Sequence, residues 1–63
     1  MTVREKIKEI KNTDVLSFGL ILNDYISEYL IEDYLFLSNE LLDKEVLKIK
    51  KYNDPLYIEL VLK

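Results

Sequence analysis

The N-terminal residues carry the clearest helical pattern in the chain. Residues 2–5 have the form of a capping box, in which Thr2 is the N-cap and the Glu5 side chain bonds back to it. Turn-forming residues begin at Asn12. Between these limits the apolar residues are spaced by four and then three positions, as on one face of a helix; they are Val3, Ile7 and Ile10. This pattern predicts a helix over residues 3–11.

Alternating apolar and polar positions predict strands in the middle and at the end of the chain. In residues 15–22 the even-numbered side chains, from Leu16 to Leu22, are all apolar and would share one face. Gly19 interrupts the opposite face and indicates a bulge or a close backbone approach. Residues 46–52 and 56–63 alternate similarly on either side of a turn at 53–55, which predicts a C-terminal β-hairpin.

Segment 25–37, which follows a turn beginning at Asn23, fits two patterns. As a helix it would form an apolar stripe, but Glu28 and Glu32 would then repel each other four positions apart. As a strand, the part from Tyr29 to Leu37 is rich in aromatic and branched residues. We predict a strand there, with the helix as the alternative. Residues 38–43 predict a single helical turn capped by Ser38.

In chain order these elements describe a small α+β domain. We expect an antiparallel sheet of about four strands, with the N-terminal helix packed on it and a short helical turn before the C-terminal hairpin. No internal repeat or linker divides the 63 residues. A single domain over residues 1–63 is therefore predicted.

Composition excludes most of the common catalytic and metal sites. The chain contains no histidine, no cysteine and one glycine, so it can form no Ser-His-Asp triad, disulfide, thiolate zinc site or glycine-rich phosphate loop. A core this small also leaves little room for a pocket that would tune a pair of catalytic carboxylates. One group of acidic residues offers oxygen donors that would suit Mg²⁺ or Ca²⁺, but it lacks the loop spacing of a calcium site. These residues are Asp24, Glu28, Glu32 and Asp33. We expect a protein that is not an enzyme and that binds no metal or cofactor.

The size of the chain favours self-association. A domain of about 60 residues buries only about 60% of the surface that its unfolded chain exposes, and natural domains of this size gain stability from disulfides, metals or partner subunits. Because the first two are not expected, we predict a homodimer, with Tyr57 and Val61 on the outer face of the last strand as its contact. No signal peptide or membrane-spanning apolar run is recognised, so we expect a cytoplasmic protein with no membrane partner.

Charge is distributed unevenly along the chain. Residues 14–45 contain eight acidic side chains and one lysine, a net charge of −7, whereas residues 1–13 and 46–63 each carry +2. Such an acidic segment repels nucleic acid and attracts basic surfaces. The alternative is an acidic face that only confers solubility. One basic patch is present, at Lys48, Lys50 and Lys51, but binding of nucleic acid would require more positive charge.

Tyrosine accounts for five of the seven aromatic residues, and three of the five lie inside the acidic segment. Tyrosine is frequent at protein interfaces because it combines a large, rigid contact area with a polar tip. Packing of these rings against the sheet is the alternative. We predict that a basic partner protein binds a surface formed by Asp24, Tyr25, Glu28, Tyr29, Glu32, Asp33 and Tyr34.

Two segments resemble small proteins encoded by phages and prophages of Gram-positive bacteria. The start MTVREKI is similar to the family pattern M-T-V-[KR]-E-L-[IL], and residues 40–49, ELLDKEVLKI, resemble its E-L-L-[DN]-[RK]-[KE]-V-x-x-I segment, which a final hydrophobic strand follows. The match covers both ends of the chain, about half of it, and the central segment does not follow it. The resemblance carries over no functional residue. It implies an accessory gene of a mobile element, a setting that includes inhibitors of bacterial immune systems.

We therefore expect a non-enzymatic phage accessory protein in the bacterial host cytoplasm. It would bind and inhibit an anti-phage defence protein through its acidic, tyrosine-bearing surface. One alternative is a dimeric protein that sequesters a nucleotide signal, in which Lys48, Lys50 or Lys51 would line a cleft. Another alternative is a structural or regulatory subunit of an oligomer.

Overall fold

The computed structural model describes residues 1–53 and 56–63 and begins with the predicted helix, α1, over Val3–Ile10. Thr2 caps it: its hydroxyl accepts a hydrogen bond from the Glu5 N–H at 3.2 Å, and the Thr2 N–H donates to the Glu5 carboxylate at 2.8 Å. These bonds satisfy amide groups that a helix start leaves unpaired. The capping box predicted from the sequence is thus confirmed.

The first two strands form a tight hairpin. Strand β1 spans Ser17–Leu22 and strand β2 spans Tyr25–Leu30. Asn23 and Asp24 connect them, and both have positive φ angles, of 51° and 67°. A two-residue turn of this geometry matches the twist of antiparallel strands, and Asn and Asp tolerate it better than most residues. The strand predicted over residues 15–22 is confirmed, but it begins at Ser17, two residues later than expected.

Segment 25–37 is a strand over only its first half. After Leu30 the chain forms a 3₁₀ helix over Ile31–Phe36, so the predicted strand from Tyr29 to Leu37 is wrong beyond Leu30. The reason is the length of the neighbouring strand: Leu30 pairs with Ser17, the first residue of β1. Later residues have no strand to pair with, and the Ile31 N–H instead donates to the Leu16 carbonyl at 2.9 Å.

A second short helix, α2, spans Asn39–Leu42 and confirms the predicted helical turn. The Ser38 hydroxyl caps it by accepting a hydrogen bond from the Leu41 N–H at 3.2 Å. On the surface the Arg4 guanidinium of α1 donates to the Asp43 carboxylate at 3.2 Å and to the Asn39 side-chain oxygen at 3.2 Å. These contacts hold α2 beside the first turn of α1.

The C-terminal hairpin consists of β3, over Val46–Asn53, and β4, over Leu56–Leu62. The predicted pair of strands is confirmed, while Asp54 and Pro55 of the predicted turn lie outside the described residues. The first residues of the chain extend this end of the sheet, since the Val46 N–H donates to the Met1 carbonyl at 2.8 Å.

The four strands lie in the order β2-β1-β4-β3, and the central pair, β1 and β4, is parallel. The expectation of a wholly antiparallel sheet is therefore wrong, and the sheet is mixed. The connection over residues 31–45 is long enough to return the chain to the end of the sheet where β2 began. As a result β3 runs in the direction of β2, and β4 runs in the direction of β1. Hydrophobic alternation predicts strands but contains no information about their relative direction.

The apolar face of α1 and one side of the sheet enclose the core. Alternate residues of the central strands point into it, which explains the burial of Phe18 and Leu20 on β1 and of Ile58 and Leu60 on β4. The buried core comprises Val3, Ile7, Ile10, Val15, Phe18, Leu20, Leu37, Leu42, Ile58, Leu60 and Leu62. In the described residues no helix is long and apolar enough to cross a membrane.

No helix of the described residues covers the other side of the sheet, which we call the open face. The strands contribute alternate residues to it, as their pairing registers show. Its residues are Ile26, Glu28 and Leu30 of β2, Ser17, Gly19 and Ile21 of β1, Tyr57, Glu59 and Val61 of β4, and Lys48, Lys50 and Tyr52 of β3.

Candidate protein-binding site

The residues predicted to bind a partner lie along one edge of the sheet. Strand β2 is outermost in the strand order, so one of its sides has no neighbouring strand. The acidic edge, as we call β2 with the residues flanking it, holds Asp24 in the turn, Tyr25, Glu28 and Tyr29 on β2, and Glu32, Asp33 and Tyr34 in the 3₁₀ helix.

These residues do not all share one face. Glu28 is opposite Gly19 and belongs to the open face, whereas Tyr29 is opposite Phe18 and points to the side of the core. The Tyr29 ring stacks on the Phe18 ring with their centroids 5.5 Å apart. A partner that contacts both Glu28 and the tyrosines would therefore have to follow the strand edge itself.

The three tyrosines of the acidic edge have different environments. Tyr29 and Tyr34 pack against the core cluster, and the Lys11 Nζ lies 5.5 Å from the centroid of the Tyr34 ring, a cation–π distance. Packing against the domain, the alternative considered from the sequence, thus applies to these two rings. Tyr25, in contrast, is 80% exposed. It is the predicted tyrosine with most of its surface available to a partner.

The two edges of the sheet differ in how well they are protected against pairing. Strand β3 carries three lysines, and its register shifts between Val46 and Lys48. Lysines and bulges are the features by which natural sheets prevent an edge from pairing with another strand. Strand β2 has neither: its register with β1 is continuous from Tyr25 to Leu30. Every second residue of such an edge directs its backbone N–H and C=O outwards.

A shallow groove of about 360 Å³ lies where β2 meets the 3₁₀ helix. Its apolar lining includes Leu30 and Leu16, both more than half exposed, and two side chains of opposite charge, Glu32 and Lys11, also line it. The groove is large enough for an apolar side chain of a partner, and such buried anchors supply most of the affinity at many interfaces.

A cluster of two tyrosines and a glutamate on the open face was not predicted from the sequence. The Tyr52 hydroxyl donates to Glu59 Oε1 at 3.0 Å, and the Tyr57 hydroxyl donates to Glu59 Oε2 at 3.2 Å. Partial burial and the charge of Glu59 raise the pKa of Tyr57 to about 12, and the hydrogen bond to Glu59 raises the pKa of Tyr52. Tyr57 and Glu59 are two positions apart on one strand, so the sequence alone places them on the same face. Tyr52 lies beside them because the register of β3 with β4 pairs it with Tyr57.

Gly19 lies beneath this cluster. A side chain at position 19 would overlap the Tyr57 hydroxyl, so the ring can lie across β1 only because residue 19 has no Cβ. The sequence predicted a bulge or a close backbone approach at Gly19. The group that comes close is instead the Tyr57 side chain, and β1 shows no bulge at this position. Tyr57 and Val61, the predicted dimer contacts, are both half-buried on the open face within a single chain.

The lysines of the basic patch do not converge on one cleft. Lys48 and Lys50 belong to the open face, whereas Lys51 lines a groove of about 430 Å³ between α1 and the last two strands. That groove also contains Glu9 and Asp14, so its charge is mixed. Phosphate groups are bound by several cations acting together. Because the three lysines are divided between two places, their arrangement does not favour the binding of a nucleotide phosphate. Among the described residues, no three acidic side chains are grouped as metal ligands would be.

No family model, curated protein or solved structure matches the chain.

Proposed function

We propose that this chain is a non-enzymatic protein-binding module that captures a basic, extended segment of a partner protein along strand β2. The observation that carries the proposal is the combination of negative charge with an unprotected edge. In β-augmentation, backbone hydrogen bonds to an exposed edge supply affinity, and side chains on either face supply specificity.

Charge explains why the partner segment should be basic. No lysine or arginine occurs from Asp14 to Asp43, and the acidic edge contains Asp24, Glu28, Glu32 and Asp33. A basic segment would approach this edge faster than a neutral one and would be aligned by it. The strand is exposed along almost its whole length, with only Tyr29 half-buried.

Apolar groups near the acidic edge would provide anchors. Tyr25 lies at the start of β2, and Leu35 and Phe36 at the end of the 3₁₀ helix are strongly exposed. Aromatic side chains that become fully desolvated are typical hot spots of protein interfaces. Together with the groove beside Leu30, they would convert a weak charge-guided encounter into a specific complex.

The biological role follows from the resemblance to phage accessory proteins. In that setting, a module that occupies a basic segment of a bacterial defence protein would inhibit it by steric occlusion, without chemistry. This role requires a partner present in the bacterial host.

The experiment compares two matched double variants in affinity capture from a bacterial lysate. Asp24→Asn/Glu32→Gln removes two charges from the acidic edge, and Asp14→Asn/Glu40→Gln removes the same two charge types from exposed positions elsewhere. We expect the wild type to capture one dominant protein, the first variant to retain about tenfold less of it, and the control to retain it fully.

Amide hydrogen exchange adds a test of the binding mode. On addition of the purified partner, the outward-facing amides of β2 should become protected, because they would then donate to the partner's backbone. Equal capture by both double variants, or protection confined to other strands, would contradict the proposal.

A further inference from the structure

The open face has a charge pattern that is complementary to itself. Along the strand order its residues form three rows across the sheet. From β2 to β3 the rows are Leu30, Ser17, Tyr57 and Tyr52; then Glu28, Gly19, Glu59 and Lys50; then Ile26, Ile21, Val61 and Lys48. The middle row therefore begins with an acid at one edge and ends with a lysine at the other.

Glu28 and Lys50 cannot reach each other within one chain. Three strand spacings of about 4.8 Å separate them, or about 14 Å. Neither forms an ion pair in the part of the chain that the structure describes. Both side chains are exposed on the same face and are available to a molecule that lies against it.

From this pattern we infer that two copies of the chain pack face to face through their open faces, with Glu28 of each copy paired with the partner's Lys50. A two-fold axis parallel to the strands, between β1 and β4, places β2 over the partner's β3. The same operation places Ile21 over the partner's Val61 in the apolar row. Both Glu28–Lys50 pairs form at once, at the two rims of the interface.

Charge selects this axis over the other two-fold axis in the plane of the interface. An axis perpendicular to the strands would place each strand over its own copy, so that Glu28 would face the partner's Glu28. Lys50 would likewise face the partner's Lys50. Like charges held against each other in an interface are strongly unfavourable, so for Glu28 and Lys50 only the axis along the strands gives a complementary arrangement.

Hydrogen bonds within each copy lower the cost of desolvating the centre of the open face. Each copy would place its Glu59 near the two-fold axis, and in each copy the Tyr52 and Tyr57 hydroxyls already donate to both oxygens of that carboxylate. A buried charge costs least when its hydrogen bonds are satisfied. Apolar surface surrounds this cluster: Ile26 is 55% and Leu30 is 51% exposed in the single chain.

The area is that of a small, weak interface. Four strands at about 4.8 Å spacing and a length of about 20 Å give a face of about 400 Å², or about 800 Å² for two copies before side-chain relief is counted. Stable interfaces bury about 1,200–2,000 Å² of accessible surface, so we expect dissociation in the micromolar range. The outer side of β2 stays free, and the dimer would present two acidic edges, each with Asp24, Glu32 and Asp33 but with Glu28 paired across the dimer interface.

Charge-reversal variants test the arrangement with the purified chain alone, so the outcome does not depend on the proposed partner. Sedimentation velocity from about 1 μM to about 1 mM should show a monomer–dimer equilibrium for the wild type. Glu28→Lys or Lys50→Glu alone should raise the dissociation constant at least about tenfold, because each creates two like-charge pairs. The double variant Glu28→Lys/Lys50→Glu should restore it to within about threefold of the wild type.

Lys51→Glu is the matched control, because Lys51 lies on the same strand but faces the side of α1. It should leave the dissociation constant unchanged, and circular dichroism should show that all four variants are folded. A monomer throughout the concentration range would overturn the inference. So would a dimer that is insensitive to the single reversals, or a double variant that stays as weak as either single one.

Discussion

At the scale of single residues, Gly19, Tyr57 and Glu59 act as one unit. The missing side chain at Gly19 lets the Tyr57 ring cross β1, and the ring then brings its hydroxyl to Glu59. Tyr52 completes the cluster from β3, with its ring centroid 5.7 Å from that of Tyr57. Three strands are thereby linked by side chains on a face that lacks a helix.

The raised pKa of Tyr57 predicts a loss of stability at alkaline pH. An unperturbed tyrosine has a pKa of 10.0, and Tyr57 has a pKa of about 12 in the folded chain. The protonated hydroxyl therefore stabilises the fold fully below pH 10, and this contribution disappears as the pH rises from 10 to 12. Urea unfolding at about pH 9 and about pH 11.5 should show a larger decrease for the wild type than for Tyr57→Phe.

The test depends on the comparison between variants and not on the decrease in the wild type alone. Tyr25→Phe is the control, since Tyr25 is strongly exposed on another strand and its loss should leave the alkaline decrease as in the wild type. An equal decrease in the wild type and in Tyr57→Phe would contradict the assignment.

At the scale of elements, local sequence accounts for the starts and turns. Thr2 and Ser38 cap the two helices as their positions in the sequence indicated. Asn23 and Asp24 form the β1–β2 turn with positive φ angles, which residues other than glycine adopt at some cost in free energy. Asn and Asp are thus suitable residues for this turn, but glycine would adopt the same φ angles at a lower cost in free energy.

Whether a glycine substitution stabilises or destabilises the fold should depend on the φ angle of the residue that it replaces. Asp24→Gly should stabilise the fold by about 0.5 kcal/mol, because Asn-Gly is the preferred pair for this turn and glycine adopts positive φ without strain. Asp33→Gly removes the same charge at a residue without positive φ and should cost about 0.5–1 kcal/mol through backbone entropy. Thermal and urea unfolding of both variants would measure the difference, and two changes of the same sign would refute this explanation.

At the scale of the whole molecule, one small core supports two exposed surfaces. The Cα radius of gyration is 10.5 Å, and α1 covers only one side of the sheet. A domain of 63 residues has an unfolding free energy of about 3–9 kcal/mol at the usual 0.05–0.15 kcal/mol per residue. Little of this stability can be lost before the chain unfolds.

The two phenylalanines of the chain provide a direct comparison. Phe18 is 0% exposed at the centre of the core, whereas Phe36 is 87% exposed at the end of the 3₁₀ helix. Phe18→Ala should cost about 3–5 kcal/mol and leave much of the population unfolded at 25 °C. Phe36→Ala should change the unfolding free energy by less than about 0.5 kcal/mol. Circular dichroism melting curves would decide, and similar midpoints for the two variants would contradict the described core.

Features that depend on neighbouring residues were predictable from the sequence alone. The spacing of Val3, Ile7 and Ile10 specified a helix and its buried face, and the alternation from Leu56 to Leu62 specified a strand with one buried side. Capping and turn residues act over two to four positions. The presence of an α+β domain, its strands and its acidic segment followed from such local rules.

Only the tertiary structure decided how these elements are arranged. The parallel pairing of β1 with β4 and the end of β2 at Leu30 depend on residues far apart in the chain, and the approach of Tyr52 to Glu59 depends on the register of the C-terminal hairpin. Such contacts are selected by the total surface buried and by the length of the partner strand. A repeating apolar pattern specifies which side of an element is buried, but not which element buries it. For that reason the acidic segment was visible in the sequence, whereas its position on an unprotected edge, opposite a basic one, was not.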